Sequence, residues 1–178
     1  MSWLESKEQW HDLVKRANIC IGANPIDVLL PWCLGMHEAK LICDKYRGNI
    51  TIITSLELQR QLYSQLKGKV YEENCDVPDG PVIWTGFSDE AFEGNFVDVL
   101  DDKPLKSFFQ TTPFAPSQPN GKSNENCAMA ANHMHGWDWF DTNCARSLPS
   151  FCKLNENPQM KIRGRHQEII LMSIACLI

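Results

Sequence analysis

The spacing of apolar residues predicts two amphipathic helices in the first half of the chain. Residues 38–45 and 55–66 repeat apolar positions every three to four residues, with Ser55 as the N-cap of the second helix. Gly48 follows the first helix and is expected to end it. Between the helices, the β-branched run at residues 49–54 predicts a strand.

After residue 80 the pattern changes to short apolar runs that are typical of strands. Strands are predicted at residues 82–87, 127–131, 136–140 and 150–154. Residues 88–126 carry four prolines and no regular period, which predicts a long loop. Cysteines and tryptophans on both sides favour an ordered loop, and helices followed by short strands indicate an α+β fold.

The two ends of the chain are less informative. Residues 3–18 show a loose helical stripe, and residues 23–31 suggest a loop that enters a short apolar strand. Residues 1–19 lack the apolar core of a signal peptide. The apolar tail at residues 169–178 is shorter than the roughly 20 residues that cross a bilayer, so no membrane insertion by this domain is expected.

Composition narrows the class of protein. A length of 178 residues with 43% hydrophobic content suits one folded domain. A net charge of −5 argues against a nucleic-acid partner, which would need a basic stripe. No convincing nucleophile–base pair or metal triad is present, so no enzymatic activity is expected.

Eight cysteines are the strongest compositional signal. They are spread through the chain without a Cys-x-x-Cys pair, which favours disulfides in an oxidising compartment over a zinc or redox site. The acceptor sequon Asn49-Ile50-Thr51 also fits an exported glycoprotein. The alternative is a cytosolic protein with reduced, buried cysteines, and the missing signal peptide fits either that or a fragment of a longer chain.

Candidate chemistry is concentrated in the long loop. Six side chains between Gln118 and Cys127 carry an oxygen, which fits a site for a hard cation but also an ordinary exposed loop. His133 and His135 alternate as on a strand face, and we interpret them as exposed loop residues without a third metal ligand. Three tryptophans are expected to pack in the core and not against a sugar: Trp84, Trp137 and Trp139.

Short motifs, in order along the chain, resemble those of C-type lectin-like domains. The motifs of the second half are Trp84–Phe87, Asp89–Gly94, Gln118–Asn120, Glu125–Cys127, Trp139–Asp141, Cys144 and Phe151–Lys153. The first half contributes His37–Ala39, Cys43 and Gly48. The resemblance spans residues 20–155 and leaves an N-terminal extension at 1–19 and a C-terminal tail at 156–178. Both ends look similar to arthropod multidomain proteins, which would account for the missing signal.

The resemblance implies two helices packed on short antiparallel sheets, with a long ordered loop. It also implies the disulfides Cys43–Cys152 and Cys127–Cys144. We expect a third between Cys20 and Cys75, which would leave two cysteines whose pairing the sequence does not settle: Cys33 and Cys176.

In lectins of this family, one Ca²⁺ is held by a tripeptide around a cis-proline, a glutamate before the next cysteine and an Asn-Asp pair. Four residues match as calcium and carbohydrate ligands: Gln118, Asn120, Glu125 and Asp141. Phe140 replaces the family's asparagine, so the resemblance implies a calcium site that is weakened or unoccupied. An auxiliary calcium site is implied at Asp89, Glu93 and Asn126, although a solvated turn is the favoured interpretation there.

The tripeptide also governs sugar choice in the family. Glu-Pro-Asn accompanies mannose-type ligands and Gln-Pro-Asp galactose-type ligands, so the mixed Gln118-Pro119-Asn120 predicts no particular sugar. The resemblance implies an extracellular carbohydrate-binding module whose partner is a glycan or glycoprotein. The alternative is a calcium-independent protein-recognition or structural domain of a larger ectodomain, in which Phe140 presents an apolar patch at the metal position.

Overall fold

The computed structural model describes residues 27–30, 32–45, 48–66, 75–77, 81–133 and 136–154. Within these ranges the helices are α1 (Met36–Lys45) and α2 (Leu56–Leu66). The strands are β1 (Asp27–Leu29), β2 (Gly48–Ile50), β3 (Val82–Ser88), β4 (Val97–Asp98), β5 (Cys127–His133), β6 (Gly136–Thr142) and β7 (Phe151–Leu154). The predicted helical stripe at 3–18 and the apolar tail lie outside the described residues. Neither described helix is long and apolar enough to cross a membrane.

The strands form two antiparallel sheets. One sheet has the order β1-β7-β2, and the other has the order β4-β3-β5-β6. Because β7 lies between β1 and β2, the last described strand is held between two strands from the first half of the chain. Two helices with antiparallel sheets confirm the predicted α+β class.

Most of the predicted elements are present, with two corrections. Ser55 caps α2 as predicted, since its Oγ accepts the Leu58 N–H at 3.1 Å. Gly48 does not end α1, which stops at Lys45; it begins β2 and pairs with Leu154. The strand predicted at 49–54 is shorter, because the chain after Ile50 crosses from β7 to β3, where the Ile53 N–H donates to the Thr85 carbonyl at 2.9 Å.

The central sheet is buried on both faces. On one face Val82, Trp84 and Met129 join a cluster that includes buried residues of α1. On the other face Ile83 and Trp139 join a cluster that includes buried leucines of α2. Since successive strand residues face opposite sides, both faces of β3 and β5 supply core. Trp84 and Trp139 therefore pack in the core as predicted, whereas the side chain of Trp137 lies outside the described residues.

Three disulfides join described residues. Cys43–Cys152 and Cys127–Cys144 are the pairs that the resemblance implies. The expected Cys20–Cys75 pair is wrong, because Cys75 bonds to Cys33.

The turn before β7 explains the Cys33–Cys75 pair. The Leu34 N–H donates to the Leu148 carbonyl at 3.1 Å, and the Asp76 N–H donates to the Ser147 carbonyl at 2.8 Å. Two segments distant in sequence are thus held side by side on this turn, and each brings one cysteine. Cys20 and Cys176 lie outside the described residues.

A buried hydrogen bond ties α2 to the central sheet. The Trp139 indole N–H donates to Gln59 Oε1 at 2.7 Å, and Gln59 is itself buried. The Trp139 ring also packs against three phenylalanine rings, with centroids 5.3–6.0 Å apart: Phe87, Phe109 and Phe114. Both the polar and the apolar parts of Trp139 are thus fixed in place.

Replacing Gln59 with leucine is expected to lower the free energy of unfolding by about 1–3 kcal/mol, because the buried indole N–H loses its acceptor. Urea-induced unfolding measures the change. Gln65→Leu, at an exposed position of the same helix, is the control and should stay within about 0.5 kcal/mol of the wild type. Equal stability of the two variants would contradict this role of Gln59.

Candidate functional site

The long loop between β3 and β5 is anchored to β6 at Trp139. The Trp139 N–H donates to the Pro113 carbonyl at 3.0 Å, and the Ala115 N–H donates to the Trp139 carbonyl at 3.0 Å. The Cys127–Cys144 disulfide fixes the C-terminal end of the loop. These contacts place the loop beside Asp141, two residues further along β6.

The predicted tripeptide is docked on Asp141. The Gln118–Pro119 peptide bond is cis, as the resemblance implies. Directly after it, the backbone N–H groups of Asn120 and Gly121 both donate to Asp141 Oδ2, at 2.8 and 2.6 Å. Because Asp141 is buried in β6, its carboxylate holds the loop against the central sheet.

Glu125 lies against the same turn. A Cβ atom added at Gly121 would overlap the Glu125 side chain, so the bare glycine makes room for this carboxylate. A 3₁₀ turn at Lys122–Asn124 brings Glu125 back towards the tripeptide. The tripeptide, Glu125 and Asp141 therefore meet around Gly121. Gly121 is absent from the predicted ligand set, although its place directly after the tripeptide is a usable sequence signal.

Three buried side-chain oxygens have no hydrogen-bond partner among the described residues: Asp89 Oδ1, Gln118 Oε1 and Asp141 Oδ1. Every one of them belongs to a residue predicted as a calcium ligand. A buried acceptor without a donor costs about 1–3 kcal/mol, and more when it is charged. A hard cation such as Ca²⁺ is the kind of partner that satisfies carboxylate and amide oxygens together.

Asp89, of the implied auxiliary site, is buried at the start of an exposed turn, whose Phe92 N–H donates to the Asp89 carbonyl at 2.9 Å. It is 3% exposed, its N–H donates to the Asn126 carbonyl at 3.1 Å, and its Oδ2 accepts the Gly94 N–H at 2.7 Å. Burial raises the pKa of Asp89 against the lowering effect of the Gly94 N–H, and the nearby Asp141 charge raises it further. Asp89 thus lies close enough to Asp141 for their charges to repel. Glu93, by contrast, is exposed.

Phe140 does not fill the space between the predicted ligands. It is partly buried against the first core cluster. On β6 it pairs with Met129 of the neighbouring strand β5, which belongs to that cluster. Asp141 follows it on the strand and pairs with Ala128, which belongs to the second cluster. The ring therefore faces away from Asp141, and the apolar patch expected at the metal position is not formed there.

Other potential metal ligands do not form a second site in the described part of the chain. The ligand atoms of His37, Cys127 and Cys144 lie within 4.8 Å of one another, but the two sulfurs are bonded in a disulfide and are not thiolates. His37 Nε2 lies 3.1 Å from the Glu90 carboxylate, which ties α1 to the start of the loop. The side chains of His133 and His135 lie outside the described residues.

The amino-acid sequence is similar to those of known lectin domains. The family model of the lectin C-type domain matches residues 34–154. Human tetranectin is 31% identical over 117 residues, which cover 66% of this chain and 53% of tetranectin. An alpha-N-acetylgalactosamine-specific lectin of Patiria pectinifera is 35% identical over 74 residues, 41% of each chain. The chain spans about half the length of the curated relatives it matches.

Solved structures share the fold at lower identity. The C-type lectin domain of murine dendritic cell inhibitory receptor 2, in complex with N-glycan, has a TM-score of 0.56 at 17% identity, covering 78% of this chain and 100% of that one. A Ca²⁺-dependent type II antifreeze protein, in its Ca²⁺-free form, has a TM-score of 0.55 at 18% identity, covering 75% and 98%. These two proteins show that the fold alone does not specify a ligand.

The expectation that the chain is not an enzyme is confirmed by the family, whose members are non-catalytic binding domains. Two disulfides and the cis peptide bond at Pro119 agree with what the sequence resemblance implies. With the family model matching residues 34–154, the chain belongs to the C-type lectin domain family.

Proposed function

We propose that this domain is an extracellular carbohydrate-binding module that works through a weakened calcium site. The proposed ligands are Gln118, Asn120, Glu125 and Asp141. The observation that carries the proposal is the set of buried oxygens without partners, two of which, Gln118 Oε1 and Asp141 Oδ1, belong to these ligands. The three disulfides support an oxidising, extracellular location.

The charge and number of the ligands support weak binding. Glu125 and Asp141 together balance the charge of one Ca²⁺, and the two amides add neutral carbonyl oxygens. Calcium takes about six to eight oxygens, so positions are left over for the hydroxyls of a sugar. Phe140 contributes no oxygen, and its ring faces the core. We expect a calcium dissociation constant at the weak end for extracellular modules, on the order of 10⁻⁴–10⁻³ M.

The tripeptide lies at least partly at the surface, where a sugar could reach it. Asn120 is exposed and Gln118 is partly exposed. Each amide has both a carbonyl oxygen for the cation and N–H donors for a sugar hydroxyl. One such site would bind a single sugar near 1 mM, about −4 kcal/mol, so useful binding requires several copies of the domain on one surface. Relatives named for sugar binding support this class of ligand.

The second candidate is calcium-independent recognition of a protein. The missing oxygen at Phe140 favours it, and so does Phe92, which is 74% exposed on the turn that begins the long loop. An exposed aromatic side chain is a common anchor of protein interfaces. The two candidates differ in their response to a chelator.

Calcium is expected to raise the unfolding temperature of the domain, and Asp141→Asn to remove most of that gain. The asparagine keeps an oxygen for the Asn120 and Gly121 N–H groups but lacks the charge that faces the cation. Thermal unfolding with calcium and with chelator measures the effect, which is about 2.7 kcal/mol at a hundredfold excess over Kd. Asp101→Asn, an exposed loop carboxylate paired with Lys103, is the control. If both variants keep the full gain, Asp141 is not a ligand.

A multivalent form of the domain is expected to bind a dense glycan array in calcium and to lose that binding in chelator. The reason is that the sugar hydroxyls complete the coordination of the same cation. Asp141→Asn should bind no glycan under either condition. Saturable binding to a protein that is unchanged by chelator, with no glycan bound, would instead establish the second candidate.

Asp89→Asn is expected to stabilise the calcium-free domain near neutral pH. The raised pKa of Asp89 means that its contribution to stability is full below the ordinary carboxyl pKa and is lost as the pH rises through the raised value. The introduced asparagine does not ionise, so the variant keeps this stability. Its free energy of unfolding should therefore exceed that of the wild type by more as the pH rises from the ordinary carboxyl pKa through the raised pKa of Asp89. Urea unfolding in chelator at several pH values measures it. Glu93→Gln, an exposed carboxylate four residues on, is the control, and a matching gain there would refute the explanation.

A further inference from the structure

The chain contains a single Asn-X-Ser/Thr sequon, Asn49-Ile50-Thr51, and its acceptor lies on strand β2. On one side β2 pairs with β7, and no other described strand pairs with its opposite side. Ile50 is buried, whereas Asn49 is partly exposed, as expected for neighbours that face opposite sides of a strand. The acceptor residue is therefore partly at the surface, on an edge strand of its sheet among the described residues.

We propose that Asn49 carries an N-linked glycan that is attached before the domain folds. In the folded domain Thr51 is 3% exposed, and its hydroxyl donates to Asp27 Oδ1 at 2.6 Å. Its backbone N–H donates to the Phe151 carbonyl at 2.8 Å. A transferase that recognises the sequon has to reach the threonine hydroxyl as well as the asparagine, so the folded sequon is closed to it.

The order of the chain leaves the sequon open during synthesis. The β7 residues Phe151 and Cys152 follow Asn49 by about 100 residues, so β2 has no strand partner while they are still being made. The Cys43–Cys152 disulfide, which closes a separation of 109 residues, fixes β7 only afterwards. Glycan attachment thus precedes the closure of this disulfide, in the same oxidising compartment.

The glycan also has a physical role at this position. An open strand edge is a template for pairing with another chain, and proteins protect such edges with bulk or charge. A glycan is bulky and solubilising. On β2 it covers the sheet edge that no described strand pairs with, and it uses none of the proposed calcium ligands.

To test this, the full chain is produced in a eukaryotic cell with a secretion leader at its N-terminus. The mass of the protein is then measured for both the secreted and the cell-retained fractions. Treatment with peptide N-glycosidase is expected to lower the mass of the wild type and to leave Asn49→Gln unchanged. Thr51→Ser keeps the hydroxyl and the sequon and should still be modified. Asp27→Ala removes the hydrogen bond alone and should also be modified. If the glycosidase leaves the mass of the wild type unchanged, Asn49 carries no glycan and the proposal is overturned.

A second experiment tests the order of events. The full chain made in bacteria is offered to microsomal oligosaccharyltransferase either oxidised and folded or reduced and unfolded. Only the unfolded chain is expected to gain a glycan. Equal modification of the folded chain would overturn the requirement that attachment comes first. Because the calcium ligands are separate from the sequon, neither result affects the proposed lectin function.

Discussion

The position of the tripeptide in the long loop depends on the carboxylate of Asp141. Oδ2 accepts the N–H groups of Asn120 and Gly121, and this positions the tripeptide. Oδ1 is buried without a partner and remains available to a cation. Asp141 is fixed in turn by its strand, because Trp139 two residues earlier is bonded to Gln59 and surrounded by phenylalanine rings. A helix, a strand and a loop are thus connected through one short segment of β6.

This arrangement concentrates unfavourable interactions where the ligand is proposed to bind. Asp89 and Asp141 are buried near each other, and each leaves one oxygen unpaired. Interactions elsewhere hold these groups in place, among them the Cys127–Cys144 disulfide and the packing of Trp139 against phenylalanine rings. Local violations of the rules of burial are typical of functional sites, since a site already arranged for its ligand does not need to reorganise on binding.

Local sequence patterns predicted the elements better than the contacts between them. Both helices and the strands β3, β5, β6 and β7 follow from apolar spacing, because each is determined by its own residues. The Cys33–Cys75 pair does not, since it depends on two distant segments meeting at the turn before β7. The burial of Asp89 is equally non-local, because Asp89 lies against Asn126, whose carbonyl accepts the Asp89 N–H from 37 residues further along the chain.

The proposed ligand residues can be identified from the sequence only through the family resemblance, and their environment cannot be predicted from it. The order of Gln118-Pro119-Asn120, Glu125 and Asp141 indicates a ligand set, but the orientation of Phe140 depends on strand alternation and on Met129 across the sheet. Because the ring packs against the core, phenylalanine in place of asparagine does more than remove an oxygen ligand. The ring gains apolar burial, worth about 1.5–3 kcal/mol when complete, and this stabilisation is present with or without calcium. An asparagine ligand would stabilise the fold only when the cation is bound. Phenylalanine at this position therefore stabilises the fold through the core and without a cation, which agrees with the weakened calcium site proposed above.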